Sequence, residues 1–445
     1  MTTPANLLFD AAADLLAQRP VDAAMEAEAR RLLVRLAYLG DDAATSAAPA
    51  EIERQVALLR AAARLKRVFA LHPRAAPGLV FLGGEADPAV LGPAYDGSPV
   101  GSLAGSGVSL RAAFESCIGE GVEYLSQFEA AGDLVANPSL DLPRPAVFPD
   151  CEPPEAQAWP AAPRGWVRAT CLGDGEPVLL PAERCLRLLG AAPAPPFALG
   201  TGCGAGASFE AAALHGLLEL IERDATALWW RGGRPGRPLA LEQAAMQEAA
   251  ELLQRLRGDA EERRSWLIDI TTDLDVPCVA AISVEADGRG FACGHAARLS
   301  LAAAARAAIR EMCHIELAYD VVAAKRAERG DAGLNEADRR HLARATVVDA
   351  ADCVLLHPQG APRLHAEAPD LGPAAALAEL VRRLGDAGQA AYAINLSRPL
   401  FTIPVARVVA PGLQLDPCRF VTPRLAQVIA DTGGGEFASR GLALL

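Results

Sequence analysis

One pattern of ligand-type residues recurs three times behind a serine. Ser109 is followed by Glu120 and Glu123, Ser208 by Glu219 and Glu222, and Ser300 by Glu311 and His314. Each acid lies eleven positions after its serine, and its partner three further on. At about 100° per residue, eleven steps on a helix is three turns plus about 20°, and fourteen is four turns less about 40°. A helix begun at each serine therefore carries both side chains on one face. Three such faces brought together would gather five carboxylates and one imidazole around a common point. Like charge at that density needs cations beside it. Carboxylate oxygens suit Mg2+, which also bridges to phosphates. The pattern points to metal-assisted handling of a polyphosphate.

Each serine is a good helix N-cap, its side chain accepting a hydrogen bond from an early helical amide, and that role alone accounts for a serine. Glycine-containing segments lead into all three: GSPVGSLAGSGVS, LGTGCGAGAS and GFACGHAARLS. Glycine lets backbone amides approach a ligand closely, and a helix start favours phosphate. No G-x-x-x-x-G-K-[ST] occurs, so a Walker-type cradle is not indicated. Seven residues after the serines stand Ser116, His215 and Ala307, of which the first two are donors suited to a phosphate or a ribose. Taken singly, each acidic pair reads equally well as solvated surface. The stretch LHGLLELIERDATALWW, however, is apolar on nearly every side of Glu219 and Glu222, and carboxylates in such surroundings need partners. Arg223 follows directly; it suits a transferred phosphoryl group, or else an ion pair with Asp224 or Glu219. Zinc is the weaker metal reading: His215 lies one turn before Glu219, but H-E-x-x-H is absent. No G-x-S-x-G elbow supports a hydrolase triad.

The elements around these helices interleave without a regular βαβ rhythm, which favours an α+β, mixed-sheet architecture. Residues 1–75 read as a helical N-terminal region and 76–445 as one catalytic domain. Met25–Leu39 and Glu51–Val68 have helical apolar spacing, and the pair either recognises a partner or leader or packs as a small bundle on the domain. GLVFLGG reads as a buried strand. The Pro-rich 137–165 reads as a long surface excursion. Two short strands joined at Gly-Asp-Gly follow, then two more in SWLIDITTDLDVPCVAAISVE, an amphipathic helix in DLGPAAALAELVRRLGDAG, and two closing strands. No structure is assigned to 341–348. Hydrophobic residues make up 51% of the 445 and aromatics 5%, and the net charge of −13 argues against a nucleic-acid or anionic-membrane surface. No apolar run is long enough to span a membrane and no signal-like start is present, so the expected location is cytoplasmic. The ten cysteines include no C-x-x-C, as expected of reduced thiols.

SCIGEGVEY (Ser116–Tyr124) resembles the S-x-x-x-E-x-x-E-R stretch of the YcaO family. GAGASFEAAALHGLLELIERDA (Gly204–Ala225) is similar to that family's segment ending E-L-I-E-R-D-A, GHAARLSLAAAARAAIREM (Gly294–Met312) to its third helix, and TIPVARVVAPGL (Thr402–Leu413) to its closing strand. The four stand in family order and cover about Gly78 to the end. The resemblance implies a YcaO-type ATP-binding core in which Mg2+ is held by helix carboxylates. It implies phosphorylation of a backbone amide oxygen in a ribosomally made precursor peptide. A neighbouring Cys, Ser or Thr then gives an azoline, or external sulfide gives a thioamide. Carried over by position, Glu120, Glu123, Glu219, Glu222 and Glu311 become metal and nucleotide ligands, Ser116, Arg223 and His314 nucleotide contacts, and Arg223 and Arg407 catalytic residues. Tyr124 stands where the family has Arg, Ser106 where many relatives have Lys, and His314 where Gln is common. The ending GGGEFASRGLALL lacks the Pro-x-Pro-x-Pro tail of azoline-forming members, which leans the expectation toward thioamidation with a TfuA-type partner. An E1-like peptide-binding partner and a homodimer are compatible with the same resemblance. The alternative is an inactive YcaO-like scaffold that binds peptide or nucleotide for a modifying partner, and the loss of Arg at Tyr124 and the presence of His314 favour it.

Overall fold

The computed structural model describes residues 4–40, 47–135, 145–146, 148–149, 151, 163–190, 195–240, 242–260, 263–366 and 370–444. Most of the Pro-rich 137–165 lies outside them. The elements run α1 (Pro4–Leu16), α2 (Ala23–Arg35), α3 (Pro49–Ala62), β1 (Arg67–Leu71), β2 (Val80–Ala86), β3 (Gly101–Gly107) and α4 (Leu110–Ser126). Then come β4 (Leu134–Val135), β5 (Trp166–Cys171), β6 (Pro177–Pro181), β7 (Cys203–Ala205), α5 (Phe209–Trp230) and α6 (Gln243–Arg257). β8 (Arg264–Asp269), β9 (Cys278–Val284), β10 (Ala292–Ala297), α7 (Leu301–Arg329), α8 (Glu336–Val347) and α9 (Pro373–Asp386) follow. β11 (Tyr392–Asn395), β12 (Val405–Val409), α10 (Pro423–Thr432) and α11 (Glu436–Ser439) close the chain. Helices and antiparallel sheets are mixed in one α+β architecture.

The strands form three antiparallel sheets, in the orders β1-β2-β3, β4-β5-β11-β12-β7 with β6 beside β5, and β10-β9-β8. Each carries one of the serine-capped helices: α4 lies on β3, α5 on β7 and β12, and α7 on β10 and β9. Glycine makes these crossings close. A Cβ on Gly105 would collide with the Ala113 carbonyl, one on Gly204 with the Ala212 carbonyl, and one on Gly294 with the Ala308 carbonyl and Met312 amide. The glycine-containing lead-ins are thus strands whose glycines admit a helix backbone, and close packing explains them without a ligand.

α5 is the central helix, which explains why its sequence is apolar on nearly every side. Trp229 and Trp230 are fully buried at its end, and their indole N–H groups donate to the Leu355 and Leu442 carbonyls at 3.0 and 2.7 Å. Burial of such rings is affordable only when the N–H finds an acceptor.

The first three helices share a core with α4, where Leu33, Leu36 and Leu59 meet Phe114 and Ile118. Arg54 adds an ion pair to Glu115 on α4 at 2.8 Å. The N-terminal helices are therefore a bundle packed on the body of the protein. The strand β1, within 1–75, pairs along its length with β2, so a division at residue 75 falls inside a hairpin. Residues 341–348, left without structure by the sequence reading, mostly belong to α8, which starts at a capping box formed by Asn335 and Asp338. Helices α6, α10 and α11 add to the elements expected from the sequence, while α1 falls within the region read as helical.

Candidate active site

The three serines cap their helices in the same way: Ser109, Ser208 and Ser300 each accept the amide three residues on, at 3.2 Å. Three turns later the first acid of each helix reaches back to the strand beneath it. Glu120 accepts the Ala104 amide at 2.7 Å, Glu219 the Gly202 amide at 2.9 Å, and Glu311 the His295 amide at 3.1 Å. Each repeat is one unit of strand, glycine crossing, capped helix and carboxylate. A charge-assisted bond to a strand amide fixes the side chain's direction, and one oxygen of each acid is left for other partners. Glu123 departs from its own unit and accepts the Ala205 amide at 2.7 Å, which ties α4 to β7 of the second unit.

The five carboxylates share one electrostatic neighbourhood, with Glu219 at its centre. Its charge acts on Glu120, Glu123, Glu222 and Glu311 alike. Burial pushes Glu120 up to about 7 and Glu123 up to about 8. Glu222 is also raised, by burial first and then by the Glu311 charge, and Glu311 moves the same way by burial. Among the described residues, Arg223 and Arg298 oppose this charge at Glu222 and Glu311. Arg223 pairs with Glu219 at 3.3 Å, so it is Glu219 and not Asp224 that it partners. Its Nε is buried with no acceptor among the described residues. Arg298, two residues before Ser300, stabilises the charged forms of Glu222 and Glu311. The sequence reading missed Arg298; the signal was a cation just ahead of the third serine.

A cleft of about 770 Å3 opens here, lined by Glu219, Glu222, His215, Arg298, Ser300 and Asp370 among others. Glu120, Glu123 and Glu311 are not among its lining residues; the Glu311 charge acts directly on Glu222, and Glu120 and Glu123 feel that of Glu219. No group of three acidic, histidine or cysteine side chains among the described residues is placed to hold one metal ion. The backbone amides take one oxygen each of Glu120, Glu219 and Glu311 and leave the second for other partners. The arrangement fits Mg2+, which dehydrates reluctantly and is held by one or two carboxylates together with phosphate oxygens.

Three other residues singled out from the sequence lie differently. Ser116 is exposed on α4, one turn before Glu120. His314 packs edge-on against Phe81 of β2 with ring centres 4.8 Å apart, and burial pushes its pKa down to about 4. The neutral ring has no polar contact with the carboxylates among the described residues. Arg407 is buried on β12 and donates to the Leu199 carbonyl, bordering a separate cavity of about 60 Å3.

The family model described as "YcaO cyclodehydratase, ATP- and Mg2+-binding" matches residues 104–414. The chain belongs to the YcaO family, and its cofactors are ATP and Mg2+. Solved structures share the fold. A heterocyclase in complex with substrate and cofactor superposes with a TM-score of 0.62 at 20% identity, over 83% of this chain and 52% of that one. This chain thus spans about half the length of that heterocyclase. YcaO from Methanopyrus kandleri, bound with AMPPCP and Mg2+, gives 0.57 at 21% identity over 83% and 91% of the two chains. The E. coli microcin synthetase McbBCD complex gives 0.51 at 16% identity over 75% and 85%. A comparison with curated proteins found no match. No helix among the described residues is long and apolar enough to cross a membrane.

Proposed function

We propose that this protein activates a backbone amide of a ribosomally made precursor peptide by ATP-dependent O-phosphorylation, giving an azoline or a thioamide. The observation that carries the reading is the cluster of buried, mutually repelling carboxylates beside an open cleft. Among the described residues Arg223 and Arg298 oppose the charges of Glu222 and Glu311, and in isolation burial would drive several of the five acids to hold protons near neutrality. Divalent cations bound with a polyphosphate remove that cost. Mg·ATP supplies the phosphoryl group, and the rest is positioning and charge stabilisation. Glu219 and Glu222 on α5 hold the metal side of the cleft, with Glu120, Glu123 and Glu311 beside them. Arg223, with an unused Nε–H, faces the charge that develops on transfer. Ser116 and His215 are donors for the nucleotide. His314, on α7, packs against Phe81 of β2. The peptide would enter with a partner protein, TfuA-type or E1-like.

Calorimetric titration with Mg·AMPPCP tests the site. Glu219→Ala and Glu222→Ala should each abolish binding while circular dichroism stays unchanged; unchanged affinity in both removes the carboxylates from the site. With ¹⁸O in the peptide carbonyl, released phosphate should carry the label. Loss of water in the product then marks an azoline, and exchange of oxygen for sulfur a thioamide. Label retained in a modified peptide refutes amide activation.

A further inference from the structure

Helix α7 carries a line of cations away from the carboxylate cleft. Its third residue, Ala303, lines the cleft beside Arg298 and Ser300. At about 100° per residue, Arg306, Arg310 and His314 fall within about 60° of Ala303 around the helix. All four are partly exposed, while Ala304, Ala305, Ala308 and Ile309 are buried. These residues form one open stripe, which runs about 10 Å from Ala303 to Arg310 and ends where His314 rests on Phe81. The charges along it are one-sided. Arg306 pairs with Glu248 of α6 at 2.7 Å, where both side chains are open to solvent. Arg310 is half-buried and takes part in no ion pair among the described residues; burial first, then the Arg298 and Arg306 charges, pushes its pKa down. Glu311, the next residue, is turned to the His295 amide of β10. In a chain of net charge −13 this is a local excess of the opposite sign, and an anion lying along the stripe relieves it.

The cleft at the head of the stripe has the other sign, for Glu219, Glu222 and Asp370 line it. A peptide with acidic side chains is repelled at the cleft and attracted along α7, and that contrast fixes how it lies. We propose that the stripe of Arg306 and Arg310, entered at Arg298, is a docking track for acidic residues that flank the modified amide of the substrate peptide. The assignment deepens the amide-activation reading and rests on it. An extended peptide advances about 3.3 Å per residue, so a track of about 10 Å places the carboxylates about two to three residues from the one whose amide lies in the cleft. Forked guanidinium donors match carboxylates. Arg306 exchanges Glu248, a surface partner of little worth, for the peptide. Both arginines act on the choice of substrate and not on ATP, which is held by the carboxylates through Mg2+.

The test is calorimetric titration of the full chain, with Mg·AMPPCP present, using two capped peptides: Glu-Glu-Gly-Cys-Gly-Glu-Glu and the same sequence with Gln for every Glu. Wild type should bind the acidic peptide about tenfold tighter or more, and added salt should narrow the gap. Arg310→Gln should cut the gap to about threefold or less, and Arg306→Gln with Arg310→Gln should remove it, both with Mg·AMPPCP affinity unchanged. That affinity also shows that the variants are folded. Equal affinity of the two peptides for wild type overturns the proposal, as does binding of neither peptide or a gap that survives in the double variant. Weakened Mg·AMPPCP binding in Arg310→Gln overturns it too, by assigning the arginines to the nucleotide. Intact Mg·AMPPCP binding without discrimination overturns the track alone. Discrimination that persists in a protein unable to bind Mg·AMPPCP sinks the amide-activation reading and leaves the track standing.

Discussion

Glu123 sets ligand binding against fold stability, and Glu123→Gln separates the two. The glutamine keeps an oxygen for the Ala205 amide, which Glu123 accepts at 2.7 Å, and removes only the charge. Burial holds the Glu123 pKa near 8 instead of 4.5, against the lowering effect of that hydrogen bond. The folded chain therefore keeps a proton that the unfolded chain releases, so wild type loses stability as pH rises from about 4.5 to about 8. Above that the loss is complete. At about 1.4 kcal/mol per pKa unit the upper limit is near 5 kcal/mol, and solvent screening at a half-buried side chain reduces it to about 1–3 kcal/mol. Urea unfolding in EDTA should show Glu123→Gln gaining on wild type across that window, by this amount at pH 9 relative to pH 4.5. With Mg2+ and AMPPCP present the order should reverse, because ligand that binds only the folded state stabilises it by RT ln(1 + [L]/Kd). Parallel pH profiles in EDTA would refute the reasoning.

Two further substitutions test how the site is held. Gly294→Ala places a methyl against the Met312 amide and Ala308 carbonyl; forcing α7 off β10 should cost about 1–3 kcal/mol in urea unfolding and weaken Mg·AMPPCP binding by moving Glu311. Arg424→Ala should cost about 3–5 kcal/mol, because it strands the fully buried Asp224, which Arg424 holds at 2.9 Å. Adding Asp224→Asn should recover part of that loss, and no recovery would show that the ion pair is not its source.

The reach of local pattern is visible in individual elements. The strands β5 and β6, the pair β8 and β9, and helix α9 follow from alternation, turn residues and helical apolar spacing, all properties of neighbouring residues. α8 is missed although its cap, Asn335 with Asp338, is written locally, because its charged sequence has little apolar periodicity. The glycine segments show why composition misleads. The same residue that would let a backbone approach phosphate lets one helix approach one strand, and only the Ala113, Ala212 and Ala308 carbonyls tell the two apart.

The sequence by itself determined the three capped helices, the face on which each pair of ligand-type residues lies, and the family. A serine cap and a 3.6-residue period depend on nothing beyond the helix. The tertiary structure decided which of those residues share a site. β7 finds its partner β12 some two hundred residues later, with Gly204 opposite Ala406, and that pairing sets α5 between the other two units and Glu219 at the electrostatic centre. It also sends His314 to Phe81, fourteen residues after its serine and on the expected helix, yet without a polar contact to the acids. Arg298 enters for the same reason. Long-range strand pairing is set by the summed burial of whole surfaces, and no spacing within one segment records it.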